Sequence, residues 1–138
     1  MKVPGHKEQA VSGKTEGELY VGCAGGLDAN IVFKYAAEPT PARNYTAARI
    51  TVKGLKGGHS GIQIVCQRAN ANKVLFRFLN AASASRDLVL CSVDGGGLRN
   101  AIPREAEAVV MVKTKEYEAF AKELKAYEKV IKAEYAGI

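Results

Sequence analysis

Tryptophan is absent from this chain, histidine occurs twice and cysteine three times. The two histidines, His6 and His59, are far apart, and no acidic cluster flanks His59, which excludes a metal site built locally around it. Cys23, Cys66 and Cys91 form no Cys-x-x-Cys pair and are odd in number, which excludes a complete disulfide framework and a zinc knuckle. Each has apolar neighbours, so buried free thiols are expected. No apolar run approaches the ~18 residues that a membrane-spanning helix needs. The opening MKVPGHKEQAVSGK lacks the apolar centre of a signal peptide, and a cytoplasmic location is expected. Also missing is any basic run interleaved with aromatics. The formal charge of +6 is spread out and mixed with acids. It predicts a solvated surface rather than a phosphate-tracking groove, so neither nucleic acid nor membrane is an expected partner.

What remains is 138 residues, 47% of them apolar, enough for one domain with a real core. Residues 1–15 read as a flexible, polar lead-in and residues 16–138 as the folded part. Glu18 to Gly22 is a short strand candidate. Asn30 to Ala36 alternates, with Ile31, Phe33 and Tyr35 on one face, and predicts a strand. Ala48, Ile50 and Val52 share one face while Arg49, Thr51 and Lys53 share the other. That is the pattern of an antiparallel sheet covered on one side. Ala71, Val74, Leu75, Phe78, Leu79 and Ala82 fall at three- and four-residue spacing and predict a helix, capped by Asn70 or Asn72. Leu88 to Val93 is a nearly continuous apolar run, short enough for an inner strand. Ala106, Ala108, Val110 and Val112 alternate as another strand. Tyr117, Phe120, Leu124, Tyr127, Ile131 and Tyr135 line one face of a final helix of about five turns.

The expected class is α+β: an open two-layer α/β sandwich with a mainly antiparallel sheet and two helices on one face. From Ala48 the order β-α-β-β-α is a ferredoxin-like split β-α-β lacking its last strand, with extra strands before it. The missing strand suggests a chain that is part of something longer.

Two loops carry candidate chemistry. In Gly57-Gly58-His59-Ser60-Gly61, the glycines let the backbone turn sharply or approach a ligand closely, and His59 suits proton transfer or hydrogen-bond donation near neutral pH. The alternative is a surface histidine in a mobile turn. Ser60 is a weaker candidate, since Ile62 breaks the Gly-x-Ser-x-Gly elbow. In Gly95-Gly96-Gly97-Leu98-Arg99-Asn100-Ala101-Ile102-Pro103-Arg104, backbone N–H groups and guanidinium forks could hold an anion. The alternative is a plain hairpin connection. Spacing alone leaves open whether the two loops converge.

Four segments, GELYVGCAGGLDANIVF, VKGLKGGHSGIQI, RANANKVLFRFL and VDGGGLRNAIPREAEAVV, together resemble the aminoacyl-histidine dipeptidases (Xaa-His dipeptidases, peptidase D). These are members of the two-zinc exopeptidase family. The resemblance runs from about Glu16 to the C-terminus, with Thr15 and Glu16 echoing the end of the family's catalytic domain. It implies a lid, or dimerisation, domain inserted into a catalytic domain that holds the paired zincs. No metal ligand matches here, so no cofactor is expected on this chain and zinc is expected in the parent enzyme. The resemblance implies that His59, from the GGHS loop, donates a hydrogen bond to the scissile carbonyl of a dipeptide, often in trans. It implies that Asn100 binds substrate near the same oxygen, with Arg99 or Arg104 as candidates for a substrate carboxylate. Gly57, Gly58 and Gly61 shape the loop. The implied partners are the parent's catalytic domain, the dipeptide and a second copy of the chain. Departures fall at Gln63, where the family pattern has aspartate, and at Val65 and Gln67, which replace a more polar residue and a glycine. The chain alone should be inactive. Two other readings are a stand-alone dimerising or ligand-binding module of the same fold, and a basic nucleic-acid-binding domain.

Overall fold

The structure, a computed structural model, describes Gly25, Leu27 and residues 29–137. The chain divides into two units, 1–36 and 37–138. The strand expected at Glu18 to Gly22, the pair Thr15 and Glu16, and Cys23 lie outside the described residues. Asn30 to Ala36 forms no strand, with Ile31 91%, Phe33 82% and Tyr35 79% exposed. Its alternation prepares two faces, but a strand also needs a neighbour to satisfy its N–H and C=O groups, and no described residue pairs with it.

The second unit runs β1 (Tyr45–Val52), β2 (Gly58–His59), α1 (Ala71–Ser85), β3 (Leu88–Gly95), β4 (Ala101–Ile102), β5 (Ala106–Lys113) and α2 (Tyr117–Glu134), with single 3-10 turns at Ile64–Cys66 and Thr114–Glu116. β5 lies between β1 and β3, antiparallel to both. β3 reaches β5 through the loop that carries β4, whereas β1 meets β5 only after β2, α1, β3 and β4 have intervened. Every second residue of β5 is buried: Ala106, Ala108, Val110 and Val112, none more than 4% exposed. They meet Ile50 of β1, the α1 stripe and Phe120 of α2 in one core. The fold is thus α+β, an antiparallel sheet with two helices.

The stripe foreseen for α1 is the set that is buried. Asn70, not Asn72, caps the helix, its Oδ1 accepting from Lys73 N at 3.2 Å. Asn72 instead donates to Gly95 O at 3.5 Å. Phe78 is the hub: its ring lies 5.5 Å from Phe120 and 5.3 Å from Tyr127. Burying a side chain of this size contributes ~1.5–3 kcal/mol. Tyr127 is half-buried, donates to Val74 O at 2.9 Å, and has its hydroxyl pKa pushed up, chiefly by burial.

Two expectations are corrected. Among the described residues Leu88–Gly95 is an outer strand, not an inner one: it pairs there with β5 alone, and Leu90 and Val93 stay 48% and 41% exposed. Its apolar run lies at the edge of the sheet that the described residues form. Cys66 and Cys91 are exposed rather than buried. Cys66 ends the short 3-10 turn after the glycine loop. Cys91 falls where the β3–β5 register shifts between Leu90 and Ser92, the extra residue of a bulge. Gln67 sits at φ +50, a left-handed backbone that suits glycine.

Candidate functional site

β1 ends at Val52, and the chain turns through Gly54 (φ +80) and Gly57 (φ +63) into β2. Here the two glycine loops meet. β2 pairs antiparallel with β4, Gly58 opposite Ile102 and His59 opposite Ala101. Ser60 N donates to Asn100 O at 2.9 Å. The second loop is itself pinned, with Ala101 N donating to Leu98 O at 3.2 Å and Ala71 N, at the start of α1, donating to Pro103 O at 3.0 Å. Main-chain bonds thus set His59 beside Asn100, both exposed, although 41 positions separate them in sequence.

The imidazole folds back over its own turn. Nδ1 accepts from Gly61 N at 3.0 Å and Ile62 N at 3.3 Å. A Cβ on residue 61 would stand 3.3 Å from the ring's Cε1 and Nδ1, a tight contact that would press on the imidazole. Around the turn, Gln63 N donates to His59 O at 3.1 Å and His59 N donates to Gln63 Oε1 at 2.9 Å. Arg68 Nη1 donates to Gly57 O at 2.6 Å and to Gln63 Oε1 at 3.2 Å. Arg104 Nε donates to Leu55 O at 3.2 Å, and its Cγ lies so close over Gly57 that a Cβ there would collide with it.

His59 and Asn100 line one open groove of about 1090 Å³, with Gly95, Gly96, Gly97 and Arg104 on its walls. Gly57 and Gly61 shape the turn without lining it, and Gly58 does both. Arg99 is exposed and is not part of the lining. Lys56, Thr51 and Glu107 also face the groove; the alternation of β1 already put Thr51 on the uncovered side. Among the described residues there is no group of three or more His, Cys, Asp or Glu side chains able to hold a metal. Among the described residues none therefore fits a catalytic metal, and the groove sets the polar and cationic side chains of His59, Asn100, Lys56 and Arg104 beside the carboxylates of Asp94, Glu105 and Glu107. No helix among them is long and apolar enough to cross a membrane.

Sequence reasoning left Arg68 out of the site and noted Gln63 only as a departure. The four-residue step from His59 to Gln63 was a usable signal, since one turn brings such residues together. Nothing in the sequence marked Arg68.

The sequence profile of the peptidase dimerisation domain of M20 peptidases matches residues 50–138, more than half of the chain. The chain belongs to this family. As an M20 dimerisation domain it is 43% identical to the cytosol non-specific dipeptidase of Escherichia coli (strain K12) over 121 residues, 88% of this chain and 25% of that protein. The crystal structure of aminoacylhistidine dipeptidase from Vibrio alginolyticus superposes with a TM-score of 0.70 at 40% identity, covering 73% of this chain and 20% of that one. The M20 domain described here therefore spans about a quarter or less of these relatives. A dimerisation domain implies contact with a partner, either a second subunit or a further domain.

Proposed function

We propose that this domain is the lid of a metal-dependent dipeptidase of the aminoacyl-histidine type, supplying His59 to a reaction centre whose metal is held elsewhere. The observation that carries this reading is the β2–β4 pairing, which sets His59 and Asn100 side by side on one groove. With Nδ1 engaged as an acceptor, the neutral ring carries its proton on Nε2. Nε2–H is then a donor for the carbonyl oxygen of a scissile peptide bond, and it bonds more strongly as that oxygen gains charge in the transition state. Asn100 offers an amide donor to the same oxygen. Arg104 is better placed than Arg99 for a substrate carboxylate, because it lines the groove and its Nε bond to Leu55 O fixes the guanidinium. The zinc expected for such enzymes would lie on a catalytic domain, and the name of the E. coli relative, a cytosol dipeptidase, supports a cytoplasmic location. A homodimer is a further expected assembly, supported by the exposed Phe76 on α1 and Leu90 on the β3 edge.

The test is a transplant. The matching 121-residue segment of the E. coli dipeptidase is replaced with the one from this chain, and hydrolysis of a Xaa-His dipeptide is measured. The hybrid should hydrolyse it, whereas the 138-residue chain alone with added zinc should not. A folded hybrid without activity, or an active isolated chain, contradicts the reading.

A further inference from the structure

The turn that carries His59 is closed from both ends in the manner of a helix-start capping box, in which a side-chain acceptor caps backbone N–H groups while a glutamine or glutamate reaches back. Here the imidazole takes the place of the capping hydroxyl, its Nδ1 accepting from Gly61 N and Ile62 N. Gln63 takes the reaching role, with Oε1 on His59 N. Arg68 adds a brace that no capping box has. One guanidinium nitrogen bonds both Gly57 O, where the turn begins, and Gln63 Oε1, where it closes. Both donors converge on the same oxygen, which also fixes the orientation of the Gln63 amide.

We propose that Gln63 and Arg68 are positioning residues that hold His59 in its Nε2–H tautomer. They keep the 57–63 turn closed, so the N–H groups of residues 61 and 62 stay on Nδ1. When the turn opens, Nδ1 loses those donors and can take the proton. Nε2 then presents a lone pair, which repels an oxyanion instead of binding it. The catalytic consequence rests on the dipeptidase reading above; the tautomer does not.

Chemistry distinguishes the substitutions. Gln63→Glu keeps an acceptor for both His59 N and Arg68, and adds a charge that favours the guanidinium. Gln63→Leu keeps the bulk and loses the acceptor. Arg68→Ala removes the brace while leaving Gln63 in place.

The experiment is side-chain 15N NMR of the 138-residue chain, in a His6→Ala background so that His59 is the sole imidazole. It is run about two pH units above the ordinary imidazole pKa of ~6.5, and the amide spectrum reports that β1, β5 and α1 stay folded. The parent chain should show widely separated Nδ1 and Nε2 shifts, those of a single Nε2–H form. Gln63→Leu and Arg68→Ala should draw the two shifts together as both tautomers become populated. Gln63→Glu should keep the parent pattern. A parent chain in the Nδ1–H form or in a mixture overturns the proposal, as does a Gln63→Leu chain that keeps the parent pattern, or a Gln63→Glu chain that behaves like leucine. If the shifts behave as expected but the hybrid dipeptidase keeps its full kcat with Gln63→Leu, the lid reading fails and the positioning of the ring stands.

Discussion

Replacing Gly58 with alanine strikes the His59 turn where Arg68 and Gln63 crowd it. Gly58 has φ +149, a conformation that side chains other than glycine's avoid, and holding alanine there costs ~1–3 kcal/mol. The new Cβ would stand 2.5 Å from Arg68 Nη1 and 2.6 Å from Gln63 Oε1. Both are ends of side chains and can move, but moving them breaks the bonds to Gly57 O and His59 N. Hydrogen bonds of this kind contribute ~0.5–1.5 kcal/mol net, more when one partner is charged. Water reaches this half-exposed turn and offsets part of that loss, so the total should be about 2–4 kcal/mol. Urea denaturation followed by circular dichroism reads it. The midpoint should fall by more than ~0.5 M with an unchanged slope, given a slope of ~1–3 kcal/mol/M. Gly97→Ala is the control, since nothing lies within 4 Å of its Cβ position, and it should leave the midpoint in place. A Gly58→Ala chain as stable as the Gly97→Ala chain would refute the closed turn described above.

Phe78→Ala removes the ring shared by α1 and α2 and should cost ~3–5 kcal/mol in the same assay; a loss below ~1 kcal/mol would mean that the helices are not packed through it. Gln67→Gly relieves a left-handed residue at φ +50 and should stabilise the chain by up to ~1 kcal/mol, the gain at φ being partly offset by glycine's greater freedom when unfolded. Asp87 accepts from the Tyr45 hydroxyl at 2.6 Å and pairs with Lys113 at 3.1 Å, and these partners, Tyr45 first, hold its carboxyl below the usual range. A depressed carboxylate contributes stability that is fully present above its unfolded pKa of ~3.9 and is lost as the pH falls through its folded value. Thermal midpoints of the parent chain and Asp87→Asn should therefore differ by a constant amount at neutral pH and converge on acidification below that range; parallel curves down to the acid transition would contradict the assignment.

Periodicity revealed most of the core. The α1 stripe, the alternation of β5 and the two-faced β1 were legible because each buries a single face, and burial is what the spacing of apolar residues encodes. Where burial is not the determinant, the pattern misled. Leu88 to Val93 reads as interior because it is apolar, yet strand order depends on which neighbours pair, and a single strand's composition does not record that. Asn30 to Ala36 shows the same limit from the other side: alternation supplies faces but no partner. The site divides in the same way. His59 and Asn100 were visible as polar residues in glycine-rich loops, and the resemblance gave them roles. Their meeting depends on two-residue strands, too short for any periodicity. The four-residue step from His59 hinted at Gln63, but the contacts of Arg68 with Gly57 O and Gln63 Oε1 depend on how the turn folds and appear only in three dimensions.

The central claim is that the imidazole of His59 works on a substrate held by another domain. It is tested most directly by His59→Ala in the hybrid dipeptidase, with kcat and KM measured separately. An oxyanion donor acts in the transition state rather than in substrate binding, so kcat should drop by ~10²–10³ while KM stays near its starting value. A folded His59→Ala hybrid that turns over a Xaa-His dipeptide at the unmodified rate would contradict the account.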